Sequence, residues 1–457
     1  MFFSSALRPT AGYRLPATSY QLRVPCTLLF LAVACSLFPV PCLAQSPPLP
    51  PGTAMPGSQP AQPSALQQAE SAIVAKDYAT ADAQLDLWLS THPADARALF
   101  DRGYVAQAQG QLGPAESWYR KAIAADPRQF ESRLALGLIL AAQGDTAGAR
   151  TQLYAATSLQ PNPPNPGAKA QAYRALAQLL RSSDPIGARD ALVEALKLTP
   201  ETPADTLLTA QIADAAGDAD LAEQEYRKLL QEQPDSPQAT AGLAHLLIEQ
   251  QQYAAAQPLV AAALQRHPDD PALNAQMAVI LSAQGKQAQA LTVLQKLHEL
   301  EPLNRDVTGM LADAEFQAGD LDAADALYQQ LLAATPSDPD LLDSHGRILI
   351  RQQYYAKALA VFQKAAAVRP GDVDAWSGIA FADSKLGRWS DEINALSMRS
   401  KFAPENPSTL FLWATAYDNL RQNKAAADYY HRFLAAAHGQ YPDQEWQARH
   451  RLIALEK

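Results

Sequence analysis

Leu99 to Pro127 reads LFDRGYVAQAQGQLGPAESWYRKAIAADP, and residues 133–161 read RLALGLILAAQGDTAGARTQLYAATSLQP. Across a shift of 34 positions Gly103 becomes Gly137, Gly110 becomes Gly144, and Ala115, Ala122 and Pro127 become Ala149, Ala156 and Pro161. The bulky residue between the two alanines is Tyr119 in one copy and Leu153 in the other. Outward from this pair, proline recurs at 93, 127, 161, 200, 234, 268, 302, 336, 370 and 404, so eight of the nine intervals are 34 residues and one is 39. An alanine series runs in phase, at 81, 115, 149, 188, 222, 256, 290, 324, 358 and 426, and is broken only by Glu392. A fixed period of this size means one small unit copied along the chain, each copy stacking on its neighbours because it cannot bury its own apolar face.

Within a unit the apolar residues fall at helical spacing: Leu134, Leu136, Leu138 and Ile139 before Gly144, then Ala149, Leu153 and Ala156 after it. Two helices per unit follow. Glycines at 110, 144, 217, 285, 319 and 387 suit the positive φ that closes a first helix, and the unit-ending proline cannot continue the second. Small residues such as Gly103, Ala312, Gly346, Ala115 and Ala324 let two helix backbones approach, and Tyr119, Tyr226, Tyr328, Phe362 and Tyr430 fill the space beside them.

This order of small residue, glycine break, alanine, aromatic, alanine and proline resembles the tetratricopeptide repeat (TPR) family over residues 64–438, read as eleven units. The early tryptophan of the family appears only as Trp376, and the fourth unit has a shortened turn at Ser182 to Pro185. The resemblance implies an all-α fold: a right-handed superhelical solenoid of antiparallel helix-turn-helix units. Units one to three occupy 64–161, a Pro/Asn-rich loop 162–168, units four to eleven 169–438, and a capping helix 439–457 bearing apolar Trp446, Leu452, Ile453 and Leu455.

Residues 1–44 carry Arg8, Arg14 and Arg23, no acid, an apolar run from Thr27 to Phe38 and then Cys42-Leu43-Ala44. That is the pattern of a secretory signal peptide cleaved after Ala44, its run too short for the ~20 residues of a spanning helix. Cys35 only weakly resembles a lipoprotein attachment site. Cys26, Cys35 and Cys42 are all in this leader, so the mature chain has no thiol. Residues 45–63 hold seven prolines and no charge, a linker that builds no core. The expected location is the periplasm or cell envelope.

Removing the leader leaves 34 basic and 47 acidic residues, a balance of about −13. No unit supplies a basic stripe, so nucleic acid is not an expected partner. Glycine-rich phosphate loops and His-Glu-x-x-His spacing are missing, and the eight histidines scatter over different units. Asp269-Asp270 and Asp338-Asp340 sit just before new helices, where aspartate caps free amides. No catalytic residue, cofactor or metal is expected.

In the resembled family the first helices line a concave groove. By that implication the groove residues are Phe100, Asp101 and Tyr104 in the second unit, with Asp313, Phe316, Asp343, Arg347, Arg351, Phe381 and Lys385 in the eighth to tenth. Arg347 and Arg351 stand one turn apart, a fork suited to a carboxylate. The Lys and Asn set with which some family members grip a C-terminal carboxylate does not occur. The expected function is a non-enzymatic exported scaffold for a peptide or protein. The alternatives are an assembly component of polysaccharide or pilus export machinery and an accessory subunit of a secreted enzyme.

Overall fold

The computed structural model describes residues 64–456. The expected signal peptide (1–44) and linker (45–63) lie outside the described residues. Within these, the chain forms 23 α-helices and no strand, and it divides into two compact units after Gln250. No described helix is long and apolar enough to cross a membrane.

The N-terminal unit contains five hairpins: α1 (Ala65–Val74) with α2 (Tyr78–Thr91), α3 (Ala96–Ala108) with α4 (Leu112–Ala125), α5 (Phe130–Gln143) with α6 (Thr146–Ser158), α7 (Pro166–Leu180) with α8 (Pro185–Leu198), and α9 (Pro203–Ala215) with α10 (Ala219–Glu232). It ends on α11 (Pro237–Glu249). The C-terminal unit starts with α12 (Tyr253–Arg266) and continues through α13 (Pro271–Ala283) with α14 (Gln287–Leu300), α15 (Arg305–Ala318) with α16 (Leu321–Ala334), α17 (Pro339–Arg351) with α18 (Tyr355–Val368), α19 (Val373–Lys385) with α20 (Trp389–Arg399) and α21 (Pro407–Asn419) with α22 (Asn423–Ala437). A last helix, α23 (Pro442–Leu455), packs on α22. Inside each unit the second helix of a hairpin also packs on the first helix of the next, so the core is a chain of overlapping clusters.

Close approach explains the small residues. A Cβ added at Gly103 would come within 2.6 Å of the Tyr119 ring, and one at Gly137 within 2.8 Å of Leu153. Phe362 on α18 fills two notches at once: a Cβ at Gly346 of its own hairpin would meet it at 2.6 Å, and one at Gly378 of the next at 2.5 Å. The expected alanine positions are fully buried, from Ala81 through Ala426. Glu392, the break in that series, is also fully buried, with only the Ser384 hydroxyl opposing the cost of burying its carboxyl.

The turns inside the hairpins obey the same period. All six expected glycines adopt positive φ, from 72° at Gly387 to 93° at Gly319. At the equivalent positions without glycine, Lys76, Gln251, Gln353 and Arg421 take φ of 58–64°. At Gln353 the amide bonds the Ile350 carbonyl and the next amide, of Tyr354, bonds the Leu349 carbonyl, closing two otherwise free helix-end acceptors. The fourth hairpin turns without any residue at positive φ, Asp184 bonding back to Leu180 and capping Gly187. It is nevertheless docked firmly: Arg174 on α7 forks onto Asp205 of α9 at 2.7 and 2.8 Å.

Two boundaries differ from expectation. Helix α7 begins at Pro166 because Asn165 caps Ala168 and proline suits the first helical position, so the loop stops short of residue 168. In α23 the buried residues are Glu445, Ala448 and Leu452, while Trp446 and Ile453 are 65% and 59% exposed. Of the four apolar residues expected to cap the array, Leu452 and Leu455 pack onto the core while Trp446 and Ile453 face outward. Asp270 and Asp338 cap their helices as expected, whereas Asp269 pairs with Lys296 and Asp340 with Arg369.

Gln353→Gly should raise the urea midpoint by an equivalent of about 0.5–1 kcal/mol, since glycine adopts positive φ without a Cβ penalty; an unchanged or lower midpoint contradicts the turn assignment. The Glu392 carboxyl is pushed up to about 8 by burial, with the nearby Ser384 hydroxyl opposing and the Asp383 charge adding to the rise. Its contribution to stability is therefore full below its ordinary value and lost as pH rises through 8. Glu392→Ala should stabilise the chain by about 1–3 kcal/mol, more near pH 9 than near pH 5, as read by denaturation at both.

Candidate interaction face on the first helices

Most first helices carry one small residue at the same place in the repeat, among them Gly103, Gly137, Ala210, Ala244, Ala312, Gly346 and Ala380, whereas α7 has Leu176 there. Residues three or four positions from this notch residue share its side of the helix, while those one or five positions on lie on its flank. The expected groove residues sort accordingly. Phe100 and Asp343, three before the notch residue, are both only 7% exposed. Phe100 packs on Tyr119 with ring centroids 5.6 Å apart, a core contact and not a groove contact. Asp343 faces the Asp372 carboxylate and is pushed up to about 8, by burial first and by Asp372 next, with Arg347 opposing. It holds its proton at neutral pH against the residue that caps α19 through the amides of Asp374 and Ala375.

One position after the notch residue stand Tyr104, Asp313, Arg347 and Phe381, all half-buried. Five positions after it, Arg351 and Lys385 are exposed. Asp313 accepts a hydrogen bond from the Tyr328 hydroxyl, and burial raises its pKa. Asp101 lies beside Phe100 and is pushed up to about 7, chiefly by burial, with Arg97 opposing. Its Oδ2 has no hydrogen-bond partner.

The expected residues of the C-terminal unit lie on three consecutive first helices, α15, α17 and α19, where Arg351 meets Phe316 and Lys385 meets Phe381. The Arg351 guanidinium carbon lies 4.7 Å from the Phe316 ring centroid and its Nη1 donates to the Phe316 carbonyl at 3.1 Å. Arg347 donates to the Ser344 hydroxyl at 2.8 Å. Lys385 sits 5.3 Å from the Phe381 ring centroid, and that ring meets Tyr355 edge-on at 6.5 Å. Neither Arg347 nor Arg351 forms an ion pair among the described residues; Asp340 pairs with Arg369, and Asp372 does too. Phe100 and Tyr104 belong to the N-terminal unit and form no part of this cluster.

Two first-helix residues that the sequence reading does not single out also stand on the flank. His245 and Glu249 on α11 are one and five positions after Ala244, with Asp214 of α9 beside them. The signal available was their spacing of four along one helix, read in the register that also places Arg347 and Arg351.

The chain is similar to several proteins. It is 26% identical over 226 residues to cellulose synthase 1 operon protein C of Komagataeibacter xylinus, covering 42% of this chain and 17% of that protein. It is 40% identical over 63 residues to the probable biofilm formation methyltransferase WspC of Pseudomonas putida, covering 14% and 15%. It therefore spans only a small part of the curated relatives that it matches. Among solved structures, a tetratricopeptide repeat protein from Parabacteroides merdae covers 56% of this chain and 99% of its own, at 13% identity and a TM-score of 0.41. Two tetratricopeptide repeat family models match, one over residues 66–130, 115–166 and 173–237, the other over 213–280 and 281–348. These matches take in more than half of the chain and coincide with its helical hairpins, and the chain belongs to the tetratricopeptide repeat family.

Proposed function

We propose that this repeat scaffold binds an extended, acidic segment of a partner protein across α15, α17 and α19. The observation that carries the reading is the pair of arginines without an ion pair: Arg347 and Arg351 lie one turn apart on α17, half-buried and exposed. No carboxylate among the described residues comes within ion-pair distance of either guanidinium, and planar guanidinium forks match carboxylate geometry. Phe316 and Phe381 on the neighbouring first helices, each with a cation against its ring, offer apolar surface to side chains between the acids. The role is non-enzymatic, and the partner is a protein or peptide.

The basic, apolar and small-residue order of residues 1–44 supports export to the periplasm or cell envelope. The similarity to a cellulose synthase operon protein favours, as a second reading, an assembly role in envelope export machinery. Under either reading the acidic segment belongs to an envelope partner.

The test uses aspartate- and glutamate-rich peptides with the mature chain, followed by fluorescence anisotropy, together with capture of partners from envelope extract. Arg347→Ala with Arg351→Ala should weaken the bound segment by roughly 2 kcal/mol, about thirtyfold in Kd. Affinity equal to that of the parent chain, or binding indifferent to salt, removes the arginine pair from the site.

A further inference from the structure

We propose that Asp214, His245 and Glu249 form a binding site for a divalent transition-metal ion on the first helices of the fifth and sixth repeats. One ligand atom from each of the three lies within 4.8 Å of the other two. The His245 Nε2 and Glu249 Oε1 atoms are 3.6 Å apart, close to the ~3.3 Å between neighbouring ligands of an ion held at 2.0–2.1 Å in tetrahedral geometry. Glu249 is exposed and its carboxyl can swing the remaining distance.

The register of the array makes the convergence more than a chance cluster. Asp214 stands four positions after Ala210, and His245 and Glu249 stand one and five after Ala244. The same three offsets in the eighth and ninth repeats belong to Phe316, Arg347 and Arg351, where Arg351 touches Phe316. In both repeat pairs the residues four and five positions after the notch approach each other across neighbouring first helices, and in the fifth and sixth repeats the three offsets hold two carboxylates and an imidazole.

Two carboxylates at this point face a single imidazole. The Asp214 side chain makes no hydrogen bond and no ion pair among the described residues, and it is half-buried. Burial raises its pKa first, the His245 ring lowers it and the Glu249 carboxylate raises it again. A divalent cation balances both carboxylates, and an imidazole nitrogen selects zinc, cobalt, nickel or copper over calcium and magnesium. Three protein ligands leave a coordination position open to water or to a carboxylate of a bound segment.

The decisive experiment titrates the untagged, chelator-stripped mature chain with Co2+, reading visible d–d absorption and the thermal midpoint, then displaces it with Zn2+. One equivalent should bind, raise the midpoint and be expelled by zinc but not by magnesium. Asp214→Asn and Glu249→Gln should each weaken binding about tenfold or more, with unchanged helical circular dichroism; Glu249 is exposed, so its variant folds even where another fails. The proposal is overturned if millimolar cobalt or zinc produces neither absorption nor midpoint shift, or if both variants bind as the parent does. The first result leaves the three residues as an ordinary histidine–carboxylate cluster.

Discussion

Two antiparallel helices can cross this closely only where one of them has nothing beyond a hydrogen or a methyl to present, and the whole array rests on that constraint. Phe362 shows it at its tightest, its ring wedged against Gly346 within its hairpin and Gly378 in the next. Each side chain of this kind joins two hairpins, so burial is transmitted from neighbour to neighbour and not gathered in one centre. The repeating alanines of the second helices are fully buried as well. Glu392 departs from the rule, occupying an alanine position with a carboxyl that burial keeps protonated.

The turns are a second consequence of the period. A first helix must reverse direction within about three residues to lay the second against it, and a left-handed residue followed by a capping aspartate does so with few unsatisfied groups. Asp77, Asp145, Asp218 and Asp320 each accept an amide of the helix they begin. Lys76, Gln251, Gln353 and Arg421 hold the left-handed position without the freedom of glycine. The conformation there is imposed by hairpin geometry, with local preference overridden by the packing on either side of the turn.

Such features are legible in the sequence because shape dictates residue type. A notch demands glycine or alanine, a left-handed turn favours glycine, and both leave a period visible in one chain. The helix pairs and the turn glycines follow directly. Phe100 departs from its expected place for a physical reason: three residues from Gly103 it shares the inward side of the helix, and nearness along the chain says nothing of flank or face until the helical angle is counted. Trp446 and Ile453 differ similarly, since size alone does not show which face of α23 meets α22. Loop length near Pro166 depends on Asn165 capping, a single side-chain hydrogen bond with no periodic signature.

The proposed recognition chemistry lies at positions that do not need a small residue. One and five residues after the notch no small residue is required, and the register holds arginine twice on α17, phenylalanine and lysine on α19, and histidine and glutamate on α11. Position is inherited from the fold while identity is not, which is why the place of an interaction face follows from the repeat and its occupant only from charge. Arg351 on α17 and Glu249 on α11 carry opposite signs at the same offset. A repeat array can therefore present different ligand preferences along its length without altering a single packing residue, and the selectivity of each segment follows from the side chains at those offsets.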